Sequence, residues 1–463
     1  MSQDKFFRRK QTLVMILIIL VFALVIRWET VVQPRDFWID ESYQYAISQK
    51  SVSFIIDSPD VHPPLFNLFT KGLLSLGIDD PFHLRLVMVF LSLILIAVFF
   101  FAVKEMFNRN TAFYSSMLLS FCLTYIYYST EFRSYTFTLI FVILQIKYLN
   151  RVLSKSYKDS TLYFGLFSLL MIYSHYMAGL VLFAEFVFLT INWKKIQLHR
   201  QIDLLSVLVW VFGLSIPLIL YIIKTFPKIH SFWFKDIDLT SLLSSFGYIL
   251  SPPIEGGILF LIFYPVIFFA IRMFRDKFDM KIQQFIYYLF IPIVLMWIIS
   301  QVFPFYHHRY FLFGGLSFFI LLGWAFDKFD SYSKDMGLFG VSIWLIFLIF
   351  TFPAFIGSFN TELFEANNYL QNITKSNDVF LHTTTFSYLP FQVFYPDNQH
   401  FLVTNLTTDQ QFTCGGSVIN PEDLKTSFDF VSEINGSIYG ISDKKVFPTV
   451  LLNVRGLYVT KRN

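Results

Sequence analysis

Runs of about 20 mostly apolar residues, each bounded by charge, recur along this chain from TLVMILIILVFALVI near its start to GLFGVSIWLIFLIFTFPAFIG. A helix of that length crosses the hydrocarbon layer of a bilayer and satisfies its own backbone there, whereas barrel strands are about half as long. The chain is therefore read as a polytopic α-helical membrane protein. Composition agrees, since 55% of the 463 residues are hydrophobic, 15% are charged and the mean hydropathy is +0.56. No ordinary soluble domain is this apolar.

About eleven spans are expected, near residues 11–29, 83–103, 111–129, 134–150, 160–174, 176–192, 204–224, 257–272, 284–302, 310–326 and 337–357. The stretch MSQDKFFRRK before the first resembles a signal peptide but is followed by no small-residue cleavage site, so the segment is read as a retained helix. Alternate connections carry the basic residues: Lys5 to Lys10, Lys104 and Arg109, Arg151 to Lys158, Lys194 to Arg200, Arg272 to Lys281, then Lys328 and Lys334. By the positive-inside rule that set is cytoplasmic. The N-terminus is then expected in the cytoplasm, and the tail outside, in the cell membrane of a multi-pass protein. The net charge of +4 follows from these segment ends and implies no nucleic-acid partner.

The expected domains are a membrane domain over residues 1–357, with a first outer loop at 30–82, and an extracytoplasmic domain over 358–463. In the tail the apolar runs shorten to strand length between Asn, Asp, Pro and Thr, as in a small mixed α/β fold. Within the first loop, ESYQYAISQ and PPLFNLFTKGLLSLG repeat apolar residues at helical spacing and read as amphipathic helices in the interface plane. The Pro63-Pro64 pair suits a helix start. Cys122 and Cys414 sit in contexts too different to imply a disulfide.

Sorted by side, the unusual polar residues gather on the outer face: Asp40, Glu41, Asp57, Asp60 and His62 in the first loop, Glu131 and Arg133 in the second turn, His175 in the third, and His307, His308 and Arg309 in the fifth. A lone charge in a water-facing loop is usually just solvated, so it is the combination that points to a site. The key charges are expected in loops and not at span centres.

IDESYQYAI, HPPLFNLFTKGLLSLG, FHLRLVMVFLSLILI, YYSTEFRSYTFTLIF, SHYMAG and HHRYF follow one another in the order and spacing of a known group. Over roughly residues 1–330 the chain resembles glycosyltransferase family 39, the protein O-mannosyltransferases and the bacterial lipid A aminoarabinose transferase, with the GT-C fold. The resemblance implies an inverting transfer of a sugar from a polyprenyl-phosphate donor to an acceptor outside the membrane. The partners implied are that lipid-linked donor, undecaprenyl phosphate in type for a bacterium, a lipid, glycan or protein acceptor, and the bilayer itself.

An acceptor hydroxyl is a poor nucleophile and needs a carboxylate to take its proton, while the departing phosphate needs a cation. By its match to the family's catalytic aspartate, Asp40 is the candidate base. Glu41 would lie about 100° round a helix from it, which suits one base and one supporting group. Arg133 and Arg309 are candidate phosphate ligands, because guanidinium stays charged and forks onto phosphate oxygens. Arg133 is otherwise an ion-pair partner of Glu131 or a snorkelling residue, and Arg309 an interfacial anchor. His62, His175, Glu131, Tyr310 and Arg85 complete the substrate-binding candidates, the two histidines being otherwise turn caps and Arg85 an interface residue.

Asp57, Asp60 and His62 offer a mixed oxygen and nitrogen set, but DSPDVHPP also reads as a turn-rich connector, and the resemblance implies neither a metal nor a cofactor. Two other classes stay open. A transporter or flippase of a lipid-linked glycan would also have many spans, although it would tend to show repeats and mid-membrane charges. A non-catalytic scaffold would keep the fold alone.

Overall fold

The computed structural model describes residues 3–33, 35–57, 62–154, 158–225, 237–251, 253–277, 279–302, 306–359, 361–404, 418–434 and 437–462. They fall into two compact units: Met1–Val31, Arg85–Ile219 and Trp233–Phe355 form one, and Val32–Leu84, Leu220–Phe232 and Ile356–Asn463 the other. Helix α1 (Gln3–Val31) precedes the loop helices α2 (Ile39–Gln49), α3 (Val52–Asp57) and α4 (Pro64–Ser75). The first unit resumes at Arg85 within α5 (Pro81–Met106) and continues through α6 (Arg109–Ser120), α7 (Leu123–Thr130), α8 (Tyr135–Ser154), α9 (Lys158–Ser174), α10 (Gly179–Asn192) and α11 (Leu198–Thr225) as far as Ile219. It closes with α12 (Leu239–Tyr248), α13 (Pro253–Met273), α14 (Met280–Ser300), α15 (Leu312–Tyr332) and α16 (Met336–Gly357).

Each of the eleven expected spans falls on helix, and among the described residues eight helices are long and apolar enough to cross a membrane. Two expectations need correction. The span at 111–129 is broken into α6 and α7 at Phe121-Cys122. The connection 225–256 contains α12, begun by a capping box in which Asp238 accepts from the Ser241 amide while Ser241 Oγ accepts from the Asp238 amide.

Helix α15 forms the centre of its unit: its apolar window is 89% buried, against 22–56% for the other seven. Small residues make that possible, because without a lipid-excluding drive helices associate through close packing. A Cβ at Gly323 would lie 2.1 Å from Ser115 Oγ and 2.6 Å from the Ser115 backbone nitrogen, so α6 touches α15 backbone to backbone. Gly314 packs against the Tyr288 carbonyl, where a Cβ would come within 2.4 Å. That carbonyl is the one from which Pro292, lacking an N–H, withholds the helical bond.

Two ionisable residues within the membrane helices, Arg27 in α1 and Glu185 in α10, are buried. Each is hydrogen-bonded inside the protein. Arg27 donates to the carbonyls of Ala23 and Ser120, and Glu185 accepts from Gln145 at 2.6 Å and Tyr288 at 3.0 Å. Burial of an ionisable group in a membrane helix is tolerable only with such partners.

In the second unit, α17 (Glu362–Leu370), β1 (Val379–His382), α18 (Thr385–Phe394), β2 (Gln399–Val403), β3 (Leu424–Lys425), β4 (Ile438–Ser442), β5 (Thr449–Val454) and β6 (Leu457–Lys461) build the mixed α/β domain. The sheet order is β3-β2-β1-β4-β6-β5, parallel from β3 to β4 and antiparallel beyond. Two positive-φ residues, Arg455 and Gly456, turn the β5–β6 hairpin. Ile39, Tyr43 and Ile47 of α2 pack with Ile55 against Tyr388, Leu389 and Leu402 of this domain. The apolar stripe read as facing lipid is covered by protein in α2.

Helix α4 is arranged the other way. Its polar residues Asn67 and Thr70 are buried together with Phe66, meeting Gln44 of α2 at 2.9 and 3.1 Å, and Leu68 packs against the core around Ile39 and Tyr43, while Leu65, Phe69 and Leu73 stay half-exposed and Leu76, just past the helix, is 78% exposed. A helix that leaves part of its apolar surface uncovered suits an interfacial position.

The core of the α/β domain holds a chain of imidazoles. His382 Nε2 lies 3.2 Å from His400 Nδ1, His382 Nδ1 lies 3.1 Å from Ser387, and His400 Nε2 lies 2.9 Å from the Tyr395 carbonyl. Burial holds His400 down at about 4 and, with His400 as a second cause, His382 well below its ordinary value. Both are neutral when folded, so their stabilisation is complete above the unfolded-chain value of about 6.5 and is lost as pH falls from there through 4. His400 alone should cost about 3 kcal/mol across that window. Hydrogen exchange of residues 379–442 in the full chain should report a matching loss of protection on acidification, and protection unchanged between pH 7 and 4 would contradict it.

Candidate active site

Three turns far apart in sequence meet in the first unit. After α7 the chain reverses at Glu131–Arg133, closed by the Arg133 amide donating to the Glu131 carbonyl at 2.8 Å. Between α9 and α10, His175 caps a 3-10 turn, its Nδ1 accepting from the Met177 amide at 3.2 Å. Before α15, His307 does the same for the Arg309 amide, also at 3.2 Å. These Xaa-N–H to imidazole caps are local, and they fix where the following side chains point.

His175 joins the three. Its ring lies 5.3 Å from Tyr135, 5.0 Å from Phe313 and 6.2 Å from Tyr310. Burial lowers its pKa to about 3, helped by the positive charges of Arg133 and Arg309. Two guanidinium groups from separate turns thus act on one neutral imidazole. Glu131 belongs to the same cluster, since it and Arg309 both act electrostatically on Tyr248, whose hydroxyl burial holds above its ordinary range. Tyr128 and Tyr248 hydroxyls are 2.9 Å apart, and the Tyr310 ring has the Arg309 guanidinium carbon 6.0 Å from its centre. Glu131, Arg133 and His175 are buried; Arg309 and Tyr310 are half-buried.

Two guanidinium groups and a carboxylate are thus brought together in low dielectric, and guanidinium is the side chain that forks onto phosphate oxygens. Sequence reasoning missed Tyr128, Tyr248, Ser245 and Tyr306. Ser245 Oγ lies 2.6 Å from Tyr306 OH and 2.9 Å from His308 Nδ1, bracing the turn that carries Arg309. Three of these follow from α12 or abut it, and the D-x-x-S capping signal at Asp238 was the feature that could have revealed that helix.

The remaining candidates are placed as follows. Arg85 is buried in the second turn of α5. Asp40, Glu41 and His62 belong to the second unit. The first two open α2, with Glu41 only 1% exposed and Asp40 half-buried. His62 is half-buried directly before Pro63 and the start of α4. Asp57 is exposed at the end of α3, and Asp60 lies outside the described residues, as does Cys414. Among the described residues no three His, Cys, Asp or Glu side chains are grouped to hold a metal ion.

Residues 61–221 match the sequence model of the dolichyl-phosphate-mannose-protein mannosyltransferase family. No curated protein matches the chain in sequence. Among solved structures, ArnT from Cupriavidus metallidurans in the apo state superposes with a TM-score of 0.61 at 13% identity, over 96% of this chain and 97% of that one. The same protein bound to undecaprenyl phosphate gives 0.60 at 13% identity, with the same coverage. The archaeal oligosaccharyltransferase AglB from Archaeoglobus fulgidus, in complex with an inhibitory peptide and a dolichol-phosphate, gives 0.55 at 11% identity over 94% and 70%. Matched by that family over residues 61–221 and folded like ArnT and AglB over nearly its whole length, the chain is a membrane protein of the GT-C fold whose resemblance to glycosyltransferase family 39 is borne out.

Proposed function

We propose that this protein is an inverting glycosyltransferase that moves a sugar from a polyprenyl-phosphate donor to an acceptor at the outer face of the cytoplasmic membrane. The observation that carries the reading is the gathering of three turns at His175, whose ring packs on Tyr135, Tyr310 and Phe313 and feels the charges of Arg133 and Arg309, the side-chain type a lipid phosphate needs. The family match, and the undecaprenyl phosphate and dolichol-phosphate named for ArnT and AglB, support a lipid-phosphate donor. In this reading the N-terminus is cytoplasmic and the membrane domain spans 1–357, with the 358–463 domain outside.

The step balances as a single displacement. The acceptor oxygen gives its proton to the Asp40 carboxylate and bonds to the anomeric carbon from the side opposite the phosphate. The bond from that carbon to the phosphate oxygen breaks, and polyprenyl phosphate leaves with the electron pair. Arg133 and Arg309 stabilise the charge that grows on it, while neutral His175 and Tyr310 shape the pocket without competing for the anion. Glu131 holds the arginines in place, Arg85 and His62 contact the donor or acceptor, and Glu41 supports the fold of α2. No metal is required in this scheme.

The second reading, transport of a lipid-linked glycan, has one observation on its side. A broken helix and buried charges at Arg27 and Glu185 are features of transporters. Both charges are held by protein partners, however, which suits a structural role. Binding of undecaprenyl phosphate to the purified protein tests the pocket. Arg133→Gln is expected to weaken it by about tenfold or more, the loss of one charge-assisted pair. Affinity unchanged in both Arg133→Gln and Arg309→Gln would remove the phosphate assignment.

A further inference from the structure

The segment YSSMLLSFCLTYIYYST runs from α6 into α7 with neither proline nor glycine, yet the helix breaks within it. Nothing local forces that break, so tertiary contacts must compensate the backbone groups it frees, which in a membrane interior have no water to turn to. Two of the freed carbonyls are taken up by side chains of other helices. Arg27 of α1 donates to the Ser120 carbonyl at 3.0 Å, and Trp344 Nε1 of α16 donates to the Phe121 carbonyl at 3.3 Å. On the other side of the break, the first turn of α7 donates outward. Cys122 Sγ lies 3.0 Å from the Leu250 carbonyl, Thr124 donates to Tyr248 at 2.6 Å, and Tyr125 donates to Leu312 at 2.6 Å.

All these groups are in the first unit and buried or partly buried. The helix so redirected ends at Thr130, one residue before the Glu131–Arg133 turn. The same bonds tie it to the end of α12 and to the residue that opens α15, next to the turns bearing Tyr248 and Arg309.

We infer that Arg27 is a positioning residue: by capping the Ser120 carbonyl from within the membrane it holds the α6–α7 break open and thereby aims Arg133 into the cationic pocket. The inference rests on the reading of that pocket as the lipid-phosphate site. In an unbroken helix the Ser120 carbonyl would accept from its own i+4 amide, that of Thr124; where the helix breaks, Arg27 supplies a donor to that oxygen and so stabilises the broken arrangement. Trp344 does the same for the Phe121 carbonyl.

The test uses the full chain in lipid nanodiscs with Cys414→Ser as background, so that Cys122 is the one thiol. Two quantities are read: affinity for undecaprenyl phosphate, and labelling of Cys122 by a maleimide. Arg27→Met should weaken binding about tenfold and raise Cys122 labelling, and Arg27→Lys, which can still donate to Ser120, should restore both. Arg133→Gln should weaken binding alone and leave Cys122 protected. Trp344→Phe keeps the ring without the donor and should shift both quantities in the direction of Arg27→Met, which secures the test if that variant does not fold. Labelling that rises without loss of affinity would overturn the positioning role, as would failure of Arg27→Lys to restore affinity. If the unsubstituted protein does not bind undecaprenyl phosphate, the donor reading falls and the positioning role falls with it, whereas failure of the inference alone leaves that binding intact.

Discussion

Asp40→Asn is expected to reduce sugar transfer by about 100-fold or more, the scale of a lost general base, with the protein still folded in the membrane. Asp40 opens α2 and is half-buried, whereas the helix is anchored elsewhere. Ile39, Tyr43 and Ile47 pack into the second unit's core, and Gln44 bonds to Asn67 and Thr70 of α4. Asparagine is the same size and is well tolerated near a helix start, so the thermal midpoint should not move. Glu41→Gln makes the contrast. Glu41 is almost wholly buried, so this change should lower the midpoint as well as the rate. Initial rates set beside melting curves separate the two, and an Asp40→Asn protein that transfers at the full rate contradicts the assignment of the base.

The second large effect is expected in the core of the membrane unit. Gly323→Leu should prevent assembly of α6 against α15, giving a protein that fails to leave a detergent column as a single monodisperse species. The β-carbon alone would stand 2.6 Å from the Ser115 nitrogen, and backbone cannot swing aside as a side-chain tip can. Overpacking of this sort typically costs about 1–3 kcal/mol where neighbours can relax and more where they cannot. Because α15 is buried along nearly its whole length, its displacement would disturb α7 and α14 too. Gly357→Leu, at a position where an added Cβ meets nothing within 4 Å, should behave as the native protein. Equal, normal yields of the two variants would show that the close approach at Gly323 is dispensable.

What could be read in the sequence follows the strength of the periodic signals. A span such as α5 is apolar but for Ser92 from Leu86 to Val103 and is closed by Lys104, so its course is evident from sequence alone. The break after Ser120 is not, because the groups that take up its freed carbonyls, Arg27 and Trp344, lie 93 and 223 positions away from their acceptors. Likewise the apolar stripe of α2 was legible, but its partner was not: an amphipathic helix looks the same whether lipid or a protein domain covers it. Of the site, Glu131, Arg133, His175 and Arg309 stood out as ionisable residues in short turns between spans. Tyr128 and Tyr248 did not, since a tyrosine beside a span ordinarily signals a membrane interface. Arg27 and Glu185 were hidden inside runs whose average hydropathy was high enough to mask one charge.

The most direct measurement of the central claim is transfer itself. Purified protein in lipid would be supplied with radiolabelled polyprenyl-phosphate sugars and an envelope extract as acceptor, and the label followed into product together with its anomeric configuration. Label carried by one donor into acceptor with inverted configuration, and lost in Asp40→Asn, is the predicted result. Label that stays on its lipid while crossing the bilayer, or a product formed equally well by the variant, would contradict the account.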